Sequence, residues 1–257
     1  MATAQELYEL WAADSELRES LQQSLEPRGL DWLFEMFAAL DPRAGDVVAD
    51  VGARDARQAI RLAQEHGVHA IAIDPLPLHC ELARAAVADA GVDVEVVEGA
   101  AEALPLEDGS VDWVWCRDVL THVDARRGLS ECARVLRPGG AMLAYVTLAT
   151  DRLEPRERAE LVEAAAIRTI DADDVESAAR DAGLELRSLE PIGSEWRERM
   201  IEDGTWDAGG ALLQLARLRR GGFTGANAEA AWGGLVWGVY QLLGKLRPTV
   251  YLWEKRA

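Results

Sequence analysis

Residues 47–57 read VVADVGARDAR: an apolar run, an aspartate inside it, one glycine, then a burst of charge. A short run of Val and Ala suits a strand buried on both faces. Gly52 suits a tight turn in which backbone approaches a ligand closely, and the residues after it open a helix. Strand, turn and helix in that order make the usual cradle for a nucleotide-like cofactor, because the turn leaves backbone N–H groups at a helix N-terminus. Only one of the glycines expected of such a turn is present. Whether the stretch is a working site or the remnant of one is the question the rest of the chain must answer.

Outward from this stretch, short apolar runs alternate with amphipathic helical segments, the pattern of βαβ units around a parallel sheet. The runs are VVADV, AIAID, VEVVE, VDWVWC and AMLAYVT, followed by LELRSLEPI and TVYLWE. Helices are expected near 57–66, 78–90, 127–136 and 173–182. Pro138 and the glycines of RPGG are expected to stop the third helix and turn the chain into the next strand. The fold class is therefore α/β: a doubly wound, mostly parallel sheet of seven strands. The chain reads as a single domain over 1–257, with a helical cap at 1–41, a core at 42–193, a helical insertion at 194–246 and a last strand at 247–257.

A formal charge of −18 and a pI near 4.6 set the chain against phosphate backbones and anionic membranes. The longest apolar run, AAWGGLVWGVYQLLG, is too short to span a bilayer. Neither a nucleic acid nor a membrane is expected as a partner. The N-terminus carries glutamates where a secretory signal needs a basic start, so a cytoplasmic location is expected. Three cysteines (Cys80, Cys116, Cys132) and four histidines lack the spacing of a metal site or a disulfide framework. No metal is expected.

Four pieces stand in order between Val47 and Thr147: VADVGARDAR, AIAIDPLPLHCELAR, VEGAAEALPLEDGSVDWVWCRDVLTHV and ECARVLRPGGAMLAYV. Together they resemble the class I S-adenosylmethionine-dependent methyltransferases, in particular the small-molecule enzymes related to the ubiquinone and menaquinone C-methyltransferases. The resemblance implies a Rossmann-like sheet, S-adenosylmethionine as cofactor and a small-molecule methyl acceptor. It also implies that Asp50 helps hold the amino group of the cofactor's methionine part. Gly52, Ala53 and Arg54 form the loop beside it. The family usually has glycine where Arg54 and Ala56 stand. Arg54 either pairs with the methionine carboxylate or points to solvent. Asp55, with Gln58 three residues on, suggests an N-cap and capping box for a helix beginning at Ala56.

Asp74 closes the second strand, where a carboxylate can accept ribose hydroxyls; its other reading is a cap for the next helix. The family often has an aspartate where Ala100 stands. Adenine would then rest on backbone around Ala101 and Glu102 and on apolar contact from Pro75 or Leu76. Cys116 and Arg117 are expected to line the cofactor through backbone groups.

Methyl transfer from a sulfonium is an in-line displacement, so the protein must align the acceptor and exclude water. A base is needed only where the acceptor loses a proton. His122 and Asp118, just past the fourth strand, are the candidates; the other reading of His122 is a hydrogen bond that holds its own loop. His66, His69 and His79 are read as surface or cap residues. Six of the nine tryptophans (Trp11, Trp32, Trp196, Trp206, Trp232, Trp237) fall in the added segments. There they either pack the lid on itself or line an acceptor site. Gly234 and Gly238 would let the last helix approach a neighbour closely, within the chain or in a homodimer. The second function considered is a catalytically silent binding or regulatory protein on the same fold. A nicotinamide-dependent oxidoreductase is a third, and the chain lacks the G-x-G-x-x-G pattern of that class.

Overall fold

The structure is a computed structural model that describes residues 31–193, 232–233, 236–241 and 243–256, with Glu6, Glu9 and Ala13. In chain order the elements are α1 (Trp32–Ala38), β1 (Val47–Val51), α2 (Arg57–His66), β2 (His69–Asp74), α3 (Pro77–Ala90), β3 (Val94–Glu98), β4 (Val111–Arg117), α4 (Ala125–Val135), β5 (Leu136–Ala149), α5 (Pro155–Ala164), α6 (Ala172–Asp181), β6 (Leu184–Pro191) and β7 (Leu246–Lys255). One seven-stranded sheet runs in the order β3-β2-β1-β4-β5-β7-β6. The pairs β1–β2, β1–β4, β2–β3 and β4–β5 are parallel, and β6–β7 is antiparallel.

The sequence explains which strands lie inside. β1, β2 and the part of β5 after its two glycines are rich in Val, Ile, Ala and Leu and are buried along most of their length, as strands covered on both faces must be. The edges read differently. β3 is Val-Glu-Val-Val-Glu and half exposed, and β6 keeps Leu184 buried but turns five consecutive residues to solvent. Charge at an edge discourages pairing with another sheet.

Two local features differ from the sequence expectation. The helix α4 stops at Val135 and β5 begins at once, so RPGG lies inside the strand as a bulge. Val111 pairs with Leu136 and Trp113 with Ala141, which leaves residues 137–140 opposite the single residue Asp112. Gly140 permits this, because a Cβ there would sit 2.8 Å from the Asp112 carbonyl oxygen. The Lys255 ammonium donates to the carbonyls of Arg134 and Leu136 and closes the helix end. The second difference is α5, a helix absent from the expectation. Its signal is present in the chain: Pro155 at the first position, and Glu157 accepting the Glu154 N–H at 3.1 Å.

The chain divides into two compact units, one of residues 1–32, 149–167 and 192–247 and the other of residues 33–148, 168–191 and 248–257. In the first, Lys245 pairs with Glu157, the Tyr240 hydroxyl donates to Glu160 at 3.1 Å, and the Thr150 hydroxyl donates to the Gly244 carbonyl at 2.8 Å. A close approach is seen at Gly233, where a Cβ would lie 2.1 Å from the Ala164 carbonyl oxygen. Gly238 is buried, and Gly234 lies outside the described residues. So do Trp11, Trp196 and Trp206 and most of the expected lid. Trp237 is buried and Trp232 is half exposed.

In the second unit, α1 is fixed to the sheet by aromatic contacts. Phe34 stacks on Trp115 at 4.9 Å, Phe37 meets Trp113 and Trp115 edge-on, and the Arg61 guanidinium lies 4.0 Å over Phe34. Phe37 is almost wholly buried. Phe37→Ala is expected to lower stability by about 3–5 kcal/mol, read as the shift of the urea unfolding midpoint.

Candidate active site

Strand order reverses between β1 and β4: from β1 the chain steps outward to β2 and β3, then returns to the far side of β1. In an open sheet of this kind, the crevice beyond the carboxyl ends of two such strands is where ligands bind. The register places Asp50 beside Trp115 and Val51 beside Cys116. Gly52, just after β1, and Asp118, just after β4, face the same crevice. A Cβ on Gly52 would lie 2.3 Å from Val119 Cγ2. Glycine is thus required here by a neighbouring side chain, in addition to any ligand.

The loop after β1 keeps the backbone path that glycines would have allowed. Arg54 and Ala56 both adopt left-handed conformations, with φ of 53° and 59°, at a cost of about 1–2 kcal/mol each. Compensating bonds hold them. Gly52 N–H and Ala53 N–H both donate to the Ile73 carbonyl, Ala56 N–H donates to Ala53, and Arg54 N–H donates to Asp74 Oδ2 at 3.0 Å. The expected capping box does not form. Ala56 itself is the N-cap of α2 and offers no side-chain cap, Asp55 pairs with Arg57 at 2.9 Å, and Gln58 accepts from the Trp115 indole at 2.7 Å. The cap comes from the strand instead, since the Asp50 carboxyl accepts the Ala59 backbone N–H.

Asp50 is buried, and its Oδ2 has no hydrogen-bond partner among the described residues. Burial pushes its carboxyl up to about 7, with the charges of Asp74 and Asp55 acting in the same direction and Arg117 against it. Asp74, at the end of β2, is also buried. Its Oδ1 accepts from Leu76 N–H at 3.0 Å and from His79 Nδ1 at 2.8 Å. The sequence suggests a surface or cap position for His79; the structure buries it against Asp74 instead. Nothing in its spacing marks it, because the contact depends on the third residue of α3 folding back onto the strand. Pro75 and Leu76 form the entry to that helix, with Pro77 at its first position.

Residues 100–103 make a tight turn, closed by Ala103 N–H to the Ala100 carbonyl. Gly99 N–H ties this turn to the Asp74 carbonyl, so it lies alongside the end of β2. The Glu102 side chain turns the other way: it accepts from Asp124 N–H at 3.2 Å and meets Arg168 at 3.4 Å.

Past β4, Asp118 has φ of 53°, a strained conformation of the kind that gathers at functional sites. Its N–H donates to the Tyr145 carbonyl, and its Oδ1 accepts from the Thr147 hydroxyl at 2.9 Å. Its Oδ2 has no partner among the described residues. Burial pushes this carboxyl up to about 6, with the Arg117 charge and the Thr147 bonds opposing. Arg117 also lies 5.9 Å from the Tyr145 ring. Cys116 is buried, and burial holds its thiol well above the usual range, which leaves it unreactive. His122 is half-buried in a turn where its N–H donates to the Val119 carbonyl, and the adjoining Thr121 carbonyl takes the N–H groups of Arg168 and Thr169. Asp118 and His122 thus share one loop, fastened from outside.

Among the described residues, no group of three or more His, Cys, Asp or Glu is placed to hold a metal, and no helix is long and apolar enough to cross a membrane.

A family model described as a methyltransferase domain matches residues 49–144. An uncharacterized methyltransferase of Mycobacterium tuberculosis is 37% identical over 119 residues, covering 46% of this chain and 44% of that protein. The 27-O-demethylrifamycin SV methyltransferase of Amycolatopsis mediterranei is 32% identical over 162 residues, covering 60% of each. The chain thus spans about half the length of the curated relatives it matches. Among solved structures, phosphoethanolamine N-methyltransferase 2 of Haemonchus contortus, in complex with S-adenosyl-L-methionine, has the same fold. Its TM-score is 0.72 at 18% identity, covering 90% of this chain and 54% of that one. The likeness to a methyltransferase domain thus lies in residues 49–144, the part of the chain that holds β1 to β4 and the loops at their carboxyl ends.

Proposed function

We propose that this chain is an S-adenosylmethionine-dependent methyltransferase that transfers a methyl group to O, N or C of a small organic molecule, of the secondary-metabolite kind named for its Amycolatopsis relative. The observation that carries this reading is the pair of buried carboxyl groups, Asp50 and Asp118, each with one oxygen unpartnered among the described residues, on either side of the strand reversal. Buried acids that are not fully paired are costly, and a cationic ligand relieves that cost. The link to the ubiquinone and menaquinone C-methyltransferases rests on the four sequence blocks alone. The silent alternative draws on the missing glycines and on Ala100 standing where the family often has an aspartate; it loses the first support because Arg54 and Ala56 reach the left-handed conformations without glycine.

The residues fit the cofactor. Asp50 Oδ2 suits the ammonium of the methionine part, and Asp74 Oδ2 suits a ribose hydroxyl. The turn at 100–103, with Pro75 and Leu76, suits the adenine, while Arg54 stands in the loop that would face the methionine carboxylate. When bound, S-adenosylmethionine supplies a methyl group already activated by its sulfonium. The chain has to hold an acceptor in line, keep water out and take a proton where one is released. Asp118 suits the last of these roles. With its carboxyl pushed up to about 6, it is ionised near neutrality yet basic enough to accept a proton. Thr147 fixes its orientation. His122, in the same loop, is the second base candidate.

Calorimetric titration with S-adenosylmethionine and S-adenosylhomocysteine tests the reading: micromolar binding is expected, weakened at least tenfold by Asp74→Ala. Folded protein that binds neither ligand would overturn it. Because only ionised Asp50 attracts an ammonium, affinity for S-adenosylhomocysteine should rise about tenfold between roughly pH 6 and 8, and this rise should be absent in Asp50→Asn. In the cofactor-free protein the sign is opposite. The stability contributed by Asp50 is complete below its unfolded value and is lost as pH rises through about 7. For acceptors that must lose a proton, Asp118→Asn should lower kcat about 10²–10⁴-fold with little change in cofactor affinity. Unchanged kcat would pass the role of base to His122.

A further inference from the structure

The Asp74 carboxylate is already engaged by the protein on three sides. An ionised carboxylate offers about four acceptor directions. Oδ1 uses both of its own, on Leu76 N–H at 3.0 Å and His79 Nδ1 at 2.8 Å, and Oδ2 uses one on Arg54 N–H at 3.0 Å. One direction is left, on Oδ2. A ribose presents two adjacent hydroxyl groups, so the carboxylate as held here has room for one of them.

Of these three donors, two are backbone groups fixed by the turn and the helix start. The third is a side chain, that of His79. The buried face of α3 is otherwise Cys80 and Ala83, and an apolar residue would fill the place of His79 without a polar group to satisfy. His79 is instead a buried ring whose side chain is 8% exposed, against an Asp74 side chain 7% exposed. With a carboxylate as acceptor, the ring proton sits on Nδ1. Cys80, the next residue, also reaches back, its thiol donating to the Asp74 carbonyl at 3.4 Å. The end of β2 is therefore clamped by the first turn of α3.

We propose that His79 is a positioning residue for the cofactor's ribose: by occupying Asp74 Oδ1 it presents Oδ2 alone, so that the carboxylate reads a single ribose hydroxyl. This rests on the S-adenosylmethionine reading above. The consequence is unequal dependence on the two hydroxyls. Loss of the hydroxyl that meets Oδ2 weakens binding, and loss of its neighbour does not.

The test is calorimetric titration of the whole protein with S-adenosylhomocysteine and its 2′-deoxy and 3′-deoxy analogues, using wild type, His79→Leu and His79→Asn. In the wild type, one deoxy analogue should bind about tenfold more weakly than the parent and the other within twofold. His79→Leu should free Oδ1 for the second hydroxyl and bring the two analogues to within twofold of each other. His79→Asn, which keeps an N–H donor in the place of Nδ1, should restore the inequality. The proposal is overturned if both analogues bind the wild type equally, or if His79→Leu leaves the inequality intact. Should His79→Leu fail to fold, His79→Asn and wild type decide the matter: an Asn variant that folds and loses the inequality also overturns the proposal. Wild type that binds no parent ligand overturns the cofactor reading together with this one. Wild type that binds it, with analogues of equal affinity, overturns this one alone.

Discussion

The structure depends on a conflict between burial and charge at the ends of two strands. A parallel sheet covered on both faces has no place for a carboxylate except where a strand runs out, and the reversal of order between β1 and β4 opens a crevice at two such ends. Asp50 and Asp118 stand there, buried, each with half of its carboxyl group satisfied by the described residues. Asp50 caps α2 through Ala59, and Asp118 is held by Thr147. The same groups that complete the fold on one oxygen are open to chemistry on the other. Arg117 acts on both, so one guanidinium moderates two desolvated acids.

The architecture is largely legible in the chain because it follows from period and punctuation. β1, β3 and α2 have the bounds that the apolar runs and the glycine stops suggest, since buried parallel strands are continuous in composition and Gly67 ends its helix in a left-handed cap. Legibility fails where a residue's partner lies far along the chain. Asp55 and Gln58 look like a capping box by spacing, yet Asp50 supplies the cap and Gln58 answers the Trp115 indole from the neighbouring strand. RPGG looks like a helix stop and serves as a bulge, because the register of β4 and β5 is set by side chains that a local reading does not weigh.

The candidate site is legible to a different degree. Strand-end positions such as Asp50, Asp74 and Asp118 can be found because topology gives the ends of strands a function. His79 cannot, because its contact with Asp74 comes from a side chain that reaches back from the first turn of α3 to the end of β2. The loop after β1 shows a third case. Glycine is the easiest route to a left-handed backbone, but Arg54 and Ala56 take that route at a cost that Asp74 and the Ile73 carbonyl offset. A motif is a statement about backbone geometry, and more than one composition satisfies it.

The two half-satisfied acids bear on how long the protein lasts in a cell. A core that stores incompletely paired carboxyl groups is more secure with a cation seated between its strand ends than without one, and ligands that bind only the native state raise its stability by mass action. Proteases act on transiently opened chains. On the cofactor reading proposed above, resistance to them would follow the supply of S-adenosylmethionine.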